Sequence, residues 1–295
     1  MSREQTIREI GIEAAKIVAE KCPFAISETP QNTSGKSEKV GILQLSDWHY
    51  GIVIDTIYNQ YNTEIARERV AQLVSKVKDI IHKEGIKHLY IFNLGDMIAG
   101  NIHLTIRLNS RVNVLNQIME VSEILSDAIA SLSTCVEGID YFAALDNHSR
   151  IDPIRENSLE LESLCRITTW YMKERLKNIK HVEIHETNAY GPDIITTSIW
   201  GHEVAAVHGH KDKPEKVVDN LVLMTKHNFD LILTSHFHHF QADEKNEVLV
   251  LCNSSLMGTD DYAQKLRLRA KPSQNFIVAT PDNVAEVIYR IVLTR

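Results

Sequence analysis

The chain of 295 residues is long enough for one or two domains, and its 43% hydrophobic and 24% charged residues are the balance of a globular protein. That composition excludes collagen-like, disordered and low-complexity classes, and no apolar run approaches the ~20 residues of a membrane helix. A net charge of -7 argues against a protein that coats nucleic acid, though not against an enzyme with a local basic site. The opening MSREQTIREIGIEAAK lacks the apolar core of a signal peptide, and Cys22, Cys135, Cys165 and Cys252 form no CxxC pair. Reduced thiols and a cytoplasmic location are therefore expected.

Residues 3–21 place Ile7, Ile10, Ala14 and Ile17 or Val18 on one helical face, and residues 22–38, rich in Pro, Ser, Thr and Asn, read as a linker. Residues 1–38 thus form a tethered amphipathic helix whose apolar stripe needs cover on the main body or on a second copy, which predicts a homo-oligomer. The main domain, 39–295, starts with the apolar strand 40–46. A helix follows over 64–84, its apolar positions at helical spacing and Gly85 placed as its cap. With the strand 88–94 this makes a βαβ unit and predicts parallel pairing. Next come a helix over 112–134, a strand over 139–145 and a helix over 157–178. Beyond them lie strands at 182–186, 194–200, 203–207, 230–234, 247–252, 275–279 and 285–293, with a helix over 214–227 among them.

Five predicted strands run into residues of metal-binding type: Asp47-Trp48-His49, Gly95-Asp96, Asp146-Asn147-His148, His208-Gly209-His210 and His236-Phe237-His238-His239. Ligand sites in α/β sheets lie outside the carboxyl ends of strands, so the five ends can converge. On an extended strand end, residues i and i+2 point to one side, which pairs Asp47 with His49 and His236 with His238. Mixed oxygen and imidazole donors suit Mn, Fe, Zn, Ni or Co better than Ca or Mg. The donors exceed what one ion needs and are about enough for two. Two divalent ions held by two carboxylates leave a cationic site, which favours a phosphate.

The ordered run of motifs resembles the calcineurin-like metallophosphoesterases, whose signature is D-x-H, G-D, G-N-H, a His often followed by Gly-His, and G-H-x-H. The likeness spans about residues 40–280 and implies an α-β-β-α sandwich with two central mixed sheets. It also implies that Asp47, His49, Asp96 and His238 hold one metal, and that Asp96 bridges to a second held by Asn147, His208 and His236. Two transition-metal ions, Mn first among them, are the implied cofactors. His148 matches the family's non-ligand histidine, which contacts the phosphate and protonates the leaving group. Asp146 stands where the family usually has Gly, Ser149 where it has an acidic residue, and Ser235 where it has Gly.

The S-D-x-H-x-G form of Ser46–Gly51 is closest to the double-strand-break repair nucleases and the D-family polymerase exonuclease subunit. The expected activity is phosphodiester hydrolysis by a hydroxide activated between two metals, with DNA as substrate and partner and no membrane. The alternatives are a small-molecule phosphodiesterase acting on cyclic nucleotides or nucleotides, a phosphatase, or a non-catalytic scaffold. Every ligand position is filled, which ranks the scaffold last. His103, Arg107, Arg150 and His239 are further candidates for substrate contact, as is the basic run Lys265–Lys271.

Overall fold

The structure, a computed structural model, describes residue 9 and residues 38–294 other than His103 and Thr187. The expected N-terminal helix and linker therefore lie, but for residue 9, outside the described residues.

The domain is a four-layer sandwich of helices, two mixed sheets and a helix. The first sheet begins with β1 (Val40–Leu45), β4 (His88–Asn93), β5 (Gly138–Ala143) and β6 (Val182–Ile184), paired in parallel. It is completed by β12 (Ser273–Ala279), antiparallel to β1, and β13 (Val287–Val292), antiparallel to β12. The second sheet contains β7 (Ile194–Ile199), β8 (His202–Val207), β9 (Leu231–Thr234), β10 (Gln241–Lys245) and β11 (Val248–Cys252), in the order β10-β11-β9-β8-β7. A two-stranded ribbon, β2 (Ile54–Asp55) and β3 (Gln60–Tyr61), follows the first motif.

The parallel core arises as the periodicity requires. Helix α1 (Thr63–Glu84) starts at Asn62, whose side chain accepts from Ile65 N–H, and ends at Gly85 with φ of 68°, the left-handed cap that glycine adopts without strain. Helix α3 (Val114–Ser133) is capped in the same way by Asn113. Both lay apolar stripes on the outer face of the first sheet, where Leu73, Val77, Val121 and Leu125 pack against Leu43, Ile91 and Tyr141. The other face of that sheet carries Ile42, Phe92, Phe142 and Ile277 against Val204, Leu231 and Leu251 of the second. Helix α5 (Val217–Thr225) closes the far side through Val217, Val218 and Leu221. Strands buried on both faces read as continuous apolar runs, which is why β1 and β9 were visible in the sequence.

Several boundaries differ from expectation. The segment expected as one helix over 157–178 is two 3-10 turns, Arg155–Asn157 and Glu160–Glu162, and then α4 (Cys165–Leu176). Its first part is held out of helix because Leu164 N–H donates to Ser149 O and Ser163 bridges Arg150. Two short helices, α2 (Leu104–Asn109) and α6 (Asp261–Lys265), have no buried residues, so no apolar stripe announced them. Strand β10 was invisible for a related reason: QADEK is almost wholly exposed at a sheet edge. No helix among the described residues is long and apolar enough to cross a membrane.

Candidate metal centre

Three strands of the first sheet and two of the second end at one place. The loops after β1 and β4 are zipped together: Asp47 N–H donates to Gly95 O, His49 N–H to Asp96 O and Tyr50 N–H to Met97 O, each at 3.0 Å. The side chains do not converge through extended backbone, as the i and i+2 argument supposed. Asp47, His49, Asp96, His236 and His238 all have positive φ, between 45° and 75°. Non-glycine residues there are uncommon and tend to cluster where function over-determines the backbone. Gly95 is needed beside them, because a Cβ on it would fall 2.4 Å from that of Asp146.

Two groups result. Asp47, His49, Asp96 and His238 present ligand atoms all within 4.8 Å of one another, as do Asp96, His208 and His236, so Asp96 belongs to both. Asn147 joins the second group through Oδ1, 2.9 Å from His208 Nε2. The contacts are those of ligands wanting a cation. His49 and His238 face each other through Nε2 atoms 3.0 Å apart. Asp47 Oδ1 and Asp96 Oδ2 are sealed from solvent without a hydrogen bond. Leaving such atoms unpaired costs about 1–3 kcal/mol each, and more when charged. Two divalent ions sharing Asp96 would satisfy both, and the donor set suits transition metals.

The surroundings orient the ligands. His208 donates from Nδ1 to Leu94 O at 2.7 Å, which leaves Nε2 as the ligating nitrogen, 3.2 Å from Asp96 Oδ2. His236 N–H donates to Asp47 Oδ2. Behind Asp47, Met257 N–H reaches its carbonyl, and the buried Arg69 guanidinium donates to Leu256 O and Met257 O. Gln274 spans the start of the first motif, accepting from Ser46 N–H and donating to Ser254 O. None of these supports was singled out in the sequence. Arg69 reads there as one more charge on a helix, and Gln274 as one polar residue in a strand.

His148 lies beside the shared carboxylate, its Nε2 3.8 Å from Asp96 Oδ2 and its ring 4.5 Å from that of His49. Its Nδ1 donates to Ala99 O at 2.7 Å, so a backbone carbonyl does the orienting that Ser149 cannot. Asp146 accepts from Asp96 N–H and from both the N–H and the hydroxyl of Ser149, tying the second motif to the third.

Charge is arranged as the geometry suggests. Burial opposes ionisation of Asp47, yet the His238 imidazole, with Nε2 3.4 Å from Oδ1, and its charge hold the carboxyl at about 2. Asp96 lies well below its ordinary range despite burial, through His148 and His208. Burial works against a charged His208 too, but Asp96 pushes it up to about 9. Burial pulls His236 down to about 4 and His49 well below its usual value, with neighbouring imidazoles adding to both. Burial, with the Asp96 charge adding, raises Asp146 to about 6.

The substrate candidates fare differently. His103 lies outside the described residues. Arg107 sits exposed on α2, and Arg150 is half-buried and donates to Pro153 O. His239 is not brought into the centre: it is exposed, with Nδ1 2.9 Å from Phe237 O and Nε2 3.3 Å from Gln241 Oε1. The basic run is exposed but anchored, since Ser254 Oγ lies 3.1 Å from both His238 O and Lys271 O.

No family model matches the chain. It is 25% identical over 250 residues to the SPbeta prophage-derived uncharacterized protein YonJ of Bacillus subtilis (strain 168). That likeness covers 82% of this chain and 61% of the relative, so the chain spans about three fifths of the relative's length. Among solved structures, an archaeal phosphodiesterase matches with 14% identity and a TM-score of 0.42, over 86% of this chain and all of the other. Zinc-bound Vps29 of Entamoeba histolytica matches with 11% identity and a TM-score of 0.38, over 86% and 100%. A predicted phosphoesterase of Streptococcus pneumoniae TIGR4 matches with 11% and 0.34, over 86% and 98%. None of these likenesses assigns a substrate.

Proposed function

We propose that this chain is a calcineurin-like metallophosphoesterase that hydrolyses phosphodiesters, with DNA as its substrate. The observation that carries the reading is the pair of ligand groups sharing Asp96, with sealed, unpaired carboxylate oxygens at their meeting point and His148 beside it. Two divalent ions, when bound, supply Lewis acidity and lower the pKa of water enough for it to attack phosphorus at neutral pH. The chain's own residues do the rest. Asp47, His49 and His238 would hold one ion and Asn147, His208 and His236 the other, with Asp96 belonging to both groups. Asp96 also accepts from His148 N–H, which keeps the third motif against the second. His148, with its Nδ1 proton committed to Ala99 O, offers Nε2 to the leaving oxygen and delivers the proton that departure requires.

Support for a nucleic acid substrate is the basic run Lys265–Lys271, joined through Ser254 to the His238 carbonyl, and the form of the first motif. A backbone held by a few phosphate contacts is bound weakly and in a salt-sensitive way. The test uses purified full chain with Mn at low salt. Bis(p-nitrophenyl) phosphate is compared with p-nitrophenyl phosphate, and labelled single- and double-stranded DNA with RNA and cyclic nucleotides. Preference for diester over monoester, with cleavage of DNA, is the expected result. Turnover of cyclic nucleotides with no oligonucleotide cleaved moves the substrate to small diesters, and turnover of monoesters alone removes the diesterase reading.

A further inference from the structure

Beside the second ligand group lies a cavity of about 280 Å³ that shares His208 with the centre and is also lined by His210. Its wall is apolar where Ile194, Val207 and Leu221 come from the second sheet and α5, and Tyr190 and Met224 stand at its rim. His210 keeps a sealed Nδ1 without a hydrogen-bond partner. The remaining lining is acidic. Its carboxylates are Glu160, Asp193 and Asp212; Glu160 and Asp193 both hold Lys211, the latter at 2.7 Å, and Asp212 accepts from Asn220.

Three properties select an occupant. The volume lies just below the usual range of ligand pockets, about 300–1,000 Å³, and suits one ring system rather than a dinucleotide. Apolar walls and an aromatic rim suit the faces of a planar ring, while the carboxylates suit a group that donates hydrogen bonds. An excess of carboxylate repels a further phosphate, because like charges brought together cost several kcal/mol. The run Lys265–Lys271, joined through Ser254 to His238 of the first ligand group, is basic and does not line the cavity. We infer that the cavity receives the base of a chain-terminal nucleoside attached to the diester under attack, and that it excludes a second phosphate on that nucleoside. This rests on the phosphodiesterase reading and adds to it a side of the site that recognises the base.

Binding decides it. Full chain loaded with Mn is titrated calorimetrically with deoxyribose 5-phosphate, deoxyadenosine 5′-monophosphate and deoxyadenosine 3′,5′-bisphosphate. The nucleotide should bind at least ~10-fold more tightly than the abasic phosphate, the order of discrimination a pocket of this kind supplies. The bisphosphate should bind more weakly than the nucleotide. Met224→Trp, at an exposed rim position, should bring the nucleotide down to the abasic level and leave the abasic phosphate unchanged. Asp193→Lys should abolish the discrimination against the bisphosphate. Equal affinity for the nucleotide and the abasic phosphate in the wild type, or a base preference untouched by Met224→Trp, overturns the pocket. If no phosphate binds, the metal-centre reading fails instead. Saturation-transfer NMR of free deoxyadenosine with the metal-free protein then judges the pocket alone. A transfer signal in the wild type that vanishes in Met224→Trp keeps it, and a wild type without that signal removes it.

Discussion

At the metal centre an imidazole faces an imidazole, His49 to His238, whereas on the β4–β6 region of the same sheet each imidazole faces a carboxylate. There His88 Nε2 and His185 Nε2 lie 2.6 Å from the two oxygens of Asp140, and the His185 ring stacks on Phe142 at 4.3 Å. The residue types are the same, and Asp140, Glu183 and His185 even offer ligand atoms within 4.8 Å of one another. The balance of donors and acceptors differs. The sheet cluster pairs both Asp140 oxygens closely, whereas in the centre Asp47 Oδ1 and Asp96 Oδ2 are sealed and meet only imidazoles 3.2 Å away or farther, with no well-formed hydrogen bond. Burial sharpens the contrast: Asp47 is fully buried, while the Asp140 side chain keeps 20% of its exposure. The same composition is an ion-pair clamp in one setting and a cation trap in the other. Unpaired buried oxygens, not the mere presence of His and Asp, mark the difference.

The comparison breaks most visibly at Asp96. Asp96→Asn should lower occupancy on both sides of the centre, measured by elemental analysis after reloading with Mn. Its loss of diesterase turnover should exceed the roughly 10–100-fold that loss of an outer partner costs. Wild-type protein should approach two ions per chain, and one or none would end the two-cation reading. His148→Ala should cut turnover ~10²–10⁴-fold on a poor leaving group while metal content holds. Loss of metal would instead make His148 a ligand. Asp146→Ala should weaken metal affinity about 10–100-fold by freeing the backbone of Asp96, with no ligand removed.

Acidity separates the two clusters further. Asp96 holds a proton on His208 up to about pH 9 in the cation-free centre, so binding of a cation at pH 7 must displace it. Affinity should therefore fall by up to about tenfold per pH unit below that value, and the calorimetric enthalpy should depend on the buffer's ionisation heat. An enthalpy indifferent to buffer would show that His208 is neutral. Asp140 works in the other sense. Burial opposes its charge, but its two imidazole partners hold its pKa below the ordinary value. A depressed carboxyl stabilises the fold above its unfolded pKa, near 4, and that contribution is lost as pH falls through the folded value. Asp140→Asn should thus cost no more than about 1 kcal/mol at pH 7, since the cluster is partly exposed, and less at pH 3. Metal content should be unchanged; its loss would mean that the sheet cluster holds a cation too.

The two clusters also differ in how far they could be read from the chain. The centre was visible because each ligand follows an apolar run, and a parallel strand buried on both faces announces its own end. His88, Asp140 and His185 were not grouped, because they come from the start of β4, the middle of β5 and just beyond β6. Only the register, with Tyr90 opposite Asp140 and Asp140 opposite Glu183, sets these strands so that the three side chains meet. His239, adjacent to ligands in sequence, is turned away at the entry to β10, and sequence neighbourhood cannot report that turn.

What the sequence by itself determined is the βαβ core, the identity of the residues at five strand ends and the chemistry they share. Hydrophobic burial dictates where strands run, and polar residues at their ends have nowhere to go but the sheet's edge. Tertiary structure alone decided how the ligands aim. Positive φ at Asp47, His49, Asp96, His236 and His238 is tolerated by Asp and His better than by most residues, but hydrogen bonds between loops far apart in the chain select it. It alone decided as well that Asp146 ties the second motif to the third, that Ala99 O orients His148, and that an acidic cavity adjoins His208. Each of these depends on which backbone atoms packing brings within about 3 Å, a distance that spacing along the chain does not encode.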